Sequence, residues 1–172
     1  MRRAEAAWRE AAGERPLPPA TALASFAAFT DPAILFAAAG PPPARLRVLK
    51  VGRALSALDL LRPTGADGAQ VRARLVAAAR AAFAQGAPHW VEIGPDAAPG
   101  QATRLALRAI ALPFAPPPGA AQPTGLVLVV VSWRELLSDE ATRSLAQELD
   151  RLRPDPAGGA TARGTALGPG LG

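Results

Sequence analysis

The side chains able to do chemistry are few. His89 is the only histidine, and the chain has no Cys and no Tyr. Acid–base work near neutral pH has one natural candidate, while disulfides, thiolate metal sites and a Cys nucleophile are excluded. A metal centre takes three or four ligands. One imidazole supplies only one, so no metal site is expected and His89 reads as a polar residue at a strand start. No GxSxG elbow occurs and Ser is scarce, which leaves a serine hydrolase without support. The Gly-Ala-Asp-Gly run at residues 65–68 lacks the GxxxxGK[ST] spacing and follows no strand, so it is no phosphate loop. Asp and Glu pairs fall mainly at helix starts, where capping explains them. With no nucleophile–base pair to name, the chain is expected not to be an enzyme.

Binding chemistry has more candidates. An aromatic side chain buries roughly 150–250 Å² and ordinarily packs a core, but Trp90 and Trp133 could also line a cavity. Arg104 and Arg108 alternate with apolar neighbours and could grip a carboxylate. The candidate ligand pocket is therefore Trp90, Arg108 and Trp133, with a small molecule as occupant. No signature names a cofactor. The net charge is +5, and every basic residue except Lys50 is Arg. A GC-rich coding sequence accounts for that bias together with the abundant Ala, Gly and Pro. A nucleic-acid surface needs its cations on one face with aromatics between them, whereas these Arg residues are scattered, most with Asp or Glu nearby. Nucleic acid is not the expected partner. The Arg45/Arg47/Lys50/Arg53 set would carry it, with a steep salt dependence.

These residues must be positioned by a fold, and one segment dominates that reading. Residues 125–133 (GLVLVVVSW) form a short, β-branched apolar run after a Pro/Gly-rich turn. Such a run is a strand buried on both faces, at the centre of a sheet. A bilayer crossing takes about 20 apolar residues, so no membrane role is expected. Two further strands are expected at 33–38 (AILFAA) and 45–51 (RLRVLKV), separated by Gly40 and three prolines, a hairpin signal. The second alternates Leu46, Val48 or Leu49, and Val51 against Arg45, Arg47 and Lys50. Gly52 reads as a hinge into a helix over 53–61, with Leu55, Leu58 and Leu61 at helical spacing. Asp67 can cap a longer helix over 69–85 whose inward stripe is Val71, Leu75, Ala78/Ala79 and Ala82/Phe83. Strands follow at 89–93 and 103–112.

The ends read differently. Residues 3–12 suit a short helix closed by Gly13, with Trp8 as its large apolar residue, and 21–29 suit a second. Asp31-Pro32 and the acidic Glu5, Glu10 and Glu14 are wrong for a secretion signal, so the expected location is cytoplasmic. Ser138, Asp139 and Glu140 open a helix through 152, with Leu145, Leu149 and Leu152 on one stripe. From Pro154 the composition is that of a disordered tail.

The order of hairpin, helical excursion, three strands and closing helix resembles a PAS domain. Individual residues extend the likeness. The run RLRVLKVGRAL at 45–55 is similar to the second strand and strand-to-helix joint of divergent PAS-like proteins of alphaproteobacteria. Trp8-Arg9-Glu10 with Leu17-Pro18-Pro19 resembles their leader. So does the pattern Gly86, Glu92, Arg108 and Leu112-Pro113-Phe114 before a hydrophobic strand. The flavin-binding relatives' reactive Cys is missing, and the only His lies on a strand, not on a haem-binding helix.

The resemblance implies an α+β fold: a five-stranded antiparallel sheet with helices on one face and flanking terminal helices. Residues 1–30 would be a helical leader, 31–134 the PAS-like sheet domain, 135–153 the C-terminal amphipathic helix and 154–172 the tail. The implied function is a non-catalytic sensory or protein-interaction module acting through the C-terminal helix. Leu145, Leu149 and Leu152 would pair with a second copy or with a separate signalling protein. A ligand-free dimerisation protein is the alternative.

Overall fold

The computed structural model describes residues 1–40, 45–57, 66–94, 103–117, 119, 124–137 and 139–152. The end of the 53–61 helix with Leu58 and Leu61, the Ser138 cap and the 154–172 tail lie outside the described residues. The side chains of Asp67 and Arg104 do so as well.

The apolar run at 125–133 lies within strand β5 (Thr124–Leu137), the middle of a five-stranded antiparallel sheet. The strand order is β2-β1-β5-β4-β3, where β1 is Ala33–Ala39, β2 Arg45–Val51, β3 His89–Ile93 and β4 Thr103–Phe114. β1 pairs antiparallel with both β2 and β5, and β3 with β4. Central placement explains why β5 shows no polar alternation. Val127, Val129 and Val131 join one apolar cluster, and Leu128 and Val130 the other. Each face of the strand meets a separate core.

The first core lies between the sheet and helices α2 (Arg53–Ala57) and α3 (Ala66–Gln85). The α3 stripe is Val71, Leu75, Ala78, Ala79 and Ala82, all buried, with Phe83 partly so. Alanines at the contact let the helix lie close to Ala109 and Ala111 of β4. Gly125 serves the same closeness, since a Cβ there would come 2.5 Å from Cε2 of Phe83. α3 begins three residues earlier than the pattern of apolar positions suggests.

The second core corrects an expectation. The leader does not merely flank the sheet. Helix α1 (Arg2–Ala12) and the 3-10 helix Ala20–Phe29 cover the face opposite α3, so helices occupy both faces. Ala4, Trp8 and Ala12, spaced four apart, form the buried side of α1. Gly13, at φ 55°, donates its N–H to the Arg9 carbonyl and ends the helix. The Trp8 indole N–H donates to the Pro113 carbonyl at 2.6 Å, and the Ala115 N–H donates to the Pro18 carbonyl at 2.8 Å. Phe26 sits edge-on to Phe114, with ring centroids 5.3 Å apart. Met1–Leu136 makes one compact unit on these contacts, and Leu137–Gly172 is a second.

The β1–β2 hairpin contains an irregularity. Leu35 faces Lys50, but Phe36 faces Val48, so Leu49 is an extra residue in β2. This β-bulge resolves the uneven alternation of RLRVLKV. Leu46 and Val51 both reach the α3-side core despite their odd spacing, and Lys50 turns to the leader side with Leu35.

In the second unit, α4 (Asp139–Leu152) is amphipathic. Its Leu145, Leu149 and Leu152 are 46%, 59% and 78% exposed. Among the described residues, no helix is long and apolar enough to cross a membrane.

Candidate functional site

Strand parity decides which candidate side chains can meet. On β3, Val91 and Ile93 join the α3-side core, so Trp90 and Glu92 lie on the leader side. On β4, Leu107 and Ala109 face α3, which puts Arg108 with Trp90. Trp133 has the parity of Val129 and Val131 and packs against the α3-side cluster. The expected pocket of Trp90, Arg108 and Trp133 is therefore not formed, because the sheet itself separates Trp133 from the other two.

Trp90 and Arg108 do not make a site by themselves. Trp90 is 41% exposed on the edge strand. Glu92 and Arg108 are direct cross-strand partners, and Nε of Arg108 lies 3.1 Å from Oε1 of Glu92. The guanidinium is thus engaged by the protein's own carboxylate. Both side chains are well exposed, and exposed pairs contribute little. A double-mutant cycle with Glu92→Gln and Arg108→Gln is expected to give a coupling below about 1 kcal/mol in urea unfolding. A coupling of several kcal/mol would show that the pair organises the β3–β4 edge. His89 opens β3 half-buried, opposite Ala111. Among the described residues no group of three or more His, Cys, Asp or Glu could hold a metal ion.

The basic residues of β2 share one face, as the alternation in its sequence suggests. Arg45, Arg47 and Lys50 face Ala39, Ala37 and Leu35 of β1, so all three share the leader-side face of an edge strand. Arg53 instead reaches back to Asp31, with Nη2 and Oδ2 3.4 Å apart.

A cavity of about 150 Å³ opens beside Lys50, at one end of this basic row. Leu23 and Phe26 of the 3-10 helix roof it. Ala33 and Leu35 of β1 and Leu128 of β5 form its floor, and Thr30 and Lys50 stand at its border. An enclosed apolar cavity of this volume holds a benzene-sized molecule; this one has apolar walls and is partly open to solvent. The roof is an unusual element. A 3-10 helix of ten residues exceeds the ordinary run of three or four, and Phe26 is its one buried side chain. Thr30 donates its hydroxyl proton to the Ala27 carbonyl at 2.8 Å, which leaves the Lys50 ammonium as the hydrogen-bond donor among the lining side chains.

Sequence reasoning missed this site because its walls come from four separate segments. One signal was present in the sequence, the phase slip between Val48 and Val51 that turns the single lysine out of register. Comparison of the chain with protein-family models, with curated proteins and with solved structures finds no match.

Proposed function

We propose that this chain is a non-catalytic, PAS-like sensory module that holds a small apolar molecule between its leader and its sheet. The observation that carries this reading is the cavity itself, walled by Leu23, Phe26, Ala33, Leu35 and Leu128. Ligand sites are concave, mostly apolar and supplied with few polar groups. The element order supports the PAS-like part: two strands, a helical excursion and three strands in one antiparallel sheet.

The signalling step follows from connectivity. Leu128 belongs to the strand whose end is separated from α4 by a single residue. A ligand that changes how the leader sits on β5 changes the strand that carries α4. The exposed leucines of α4 then give the output surface, for a second copy or for a separate signalling protein.

Native mass spectrometry of the purified chain, followed by a thermal-shift screen of benzene-sized compounds, tests the reading. A bound small molecule lost on denaturation supports it. So does saturation by a screened compound, which at a hundredfold excess over Kd adds about 2.7 kcal/mol. For a domain of this size that corresponds to a Tm rise of about 5–10 °C. A ligand-free dimer indifferent to every compound would overturn it and favour the second reading, a dimerisation protein using Leu145, Leu149 and Leu152, whose exposure is the observation in its favour.

A further inference from the structure

We infer that the cavity's ligand is a small apolar monocarboxylate, with its hydrocarbon part against Phe26, Leu35 and Leu128 and its carboxylate at the Lys50 ammonium. This rests on the cavity reading above and adds the chemical class of the occupant. Three observations carry it. Lys50 is the chain's single lysine, and the bulge at Leu49 turns it onto the cavity side of β2. Arg45 and Arg47 lie on the same face of the same strand as Lys50, so that edge of the sheet adds positive potential beside the one cation that lines the cavity. The one nearby carboxylate on the adjoining turn, Asp31, is paired with Arg53.

Size and charge together narrow the class. A volume of about 150 Å³ accepts a phenyl ring or a short aliphatic chain as the buried part of the ligand. Lysine acts as a point charge with rotatable donors, which matches one carboxylate at a partly open mouth. A second anionic group would have to enter the apolar part of the cavity, where an unpaired charge is costly. A neutral molecule of the same shape fills the walls but leaves the ammonium unused.

The test compares benzoate with benzamide, and hexanoate with hexanamide, on the full chain at low salt. Reductive methylation with labelled formaldehyde marks Lys50 as the only side-chain amine, and its NMR signal reports what reaches it. Benzoate is expected to bind about fivefold more tightly than benzamide. Addition of salt should narrow that ratio, and Lys50→Met, an exposed edge-strand change, should remove it. Leu23→Trp, which fills the roof, should abolish binding of acid and amide alike. Equal binding of acid and amide, both blocked by Leu23→Trp, would overturn the carboxylate assignment and leave the cavity reading standing. Binding of neither compound, or binding that survives Leu23→Trp, would overturn both.

Discussion

Replacing Trp8 with alanine is expected to destabilise the Met1–Leu136 unit by about 3–5 kcal/mol, the usual cost of removing a buried aromatic side chain. Trp8 is 7% exposed and belongs to the core beneath the leader, with Phe26, Phe114, Ile110 and Leu112. Two effects add. The indole leaves a void against β4, and the Pro113 carbonyl loses the 2.6 Å hydrogen bond it accepts from the indole N–H. Trp8→Phe separates them. It keeps a ring in the core but removes the donor and leaves a smaller void, so it should cost less than alanine, about 1–3 kcal/mol. Urea unfolding followed by circular dichroism reads both. Natural domains have only about 5–15 kcal/mol of stability, so the alanine variant should lose a large fraction of the total and unfold at a clearly lower urea concentration. A loss below about 1 kcal/mol in Trp8→Ala would mean that the leader contributes little to this face. The cavity roof would then be a loose segment and not an ordered wall.

That contact also marks how far the sequence could be read. β5 was legible because burial on both faces erases alternation, and only a central strand of a covered sheet has that property. The α3 stripe was legible because a helix repeats its inward positions at 3.6 residues, and Val71, Leu75, Ala78 and Ala82 keep that period. The position of the leader was not legible. Trp8 and Pro113 are 105 residues apart, and neither residue announces a partner. A lone tryptophan on a polar helix suits docking on its own sheet and docking on a neighbour equally well.

The candidate site divides along the same line. Trp90, Arg108 and Trp133 were chosen by residue type, and residue type says nothing about which side of a sheet a strand position faces. Parity does. Once Val91, Leu107 and Val129 are known to share a core, Trp90 and Arg108 must point away from Trp133. Lys50 illustrates the reverse. Strict alternation would place it with Leu46 and Val48 and aim it at the α3 side. One extra residue reverses its direction, and the sequence trace of that residue is the slip from even to odd apolar positions in RLRVLKV. A β-bulge of this kind becomes certain only against a paired strand, which requires the register of β1.

The second large effect is at Gly52, where alanine is expected to cost about 3 kcal/mol. The sequence suggests a hinge, but the structure places Gly52 in a closed joint. It is buried, its N–H donates to the Ala33 carbonyl at 2.8 Å, and its carbonyl accepts from the Ser56 N–H at 3.0 Å. A Cβ here would fall onto the backbone carbonyl oxygens of Thr30 and Asp31. Backbone atoms cannot swing aside as a flexible side chain can, so either the turn or the start of α2 must move. Gly94→Ala is the control, because a Cβ at Gly94 meets nothing within 4 Å, and the change should stay within about 0.5 kcal/mol. The joint has a functional reach as well. Thr30 borders the cavity, Lys50 lies two residues before Gly52, and Ala33 is both the joint's acceptor and part of the floor. Displacing the turn therefore spreads the roof from the floor. Gly52→Ala should lower the Tm and also reduce the further Tm rise produced by a cavity ligand, whereas a destabilising change in the α3-side core should lower the Tm alone. An intact ligand response in Gly52→Ala would show that the joint supports the fold without shaping the cavity.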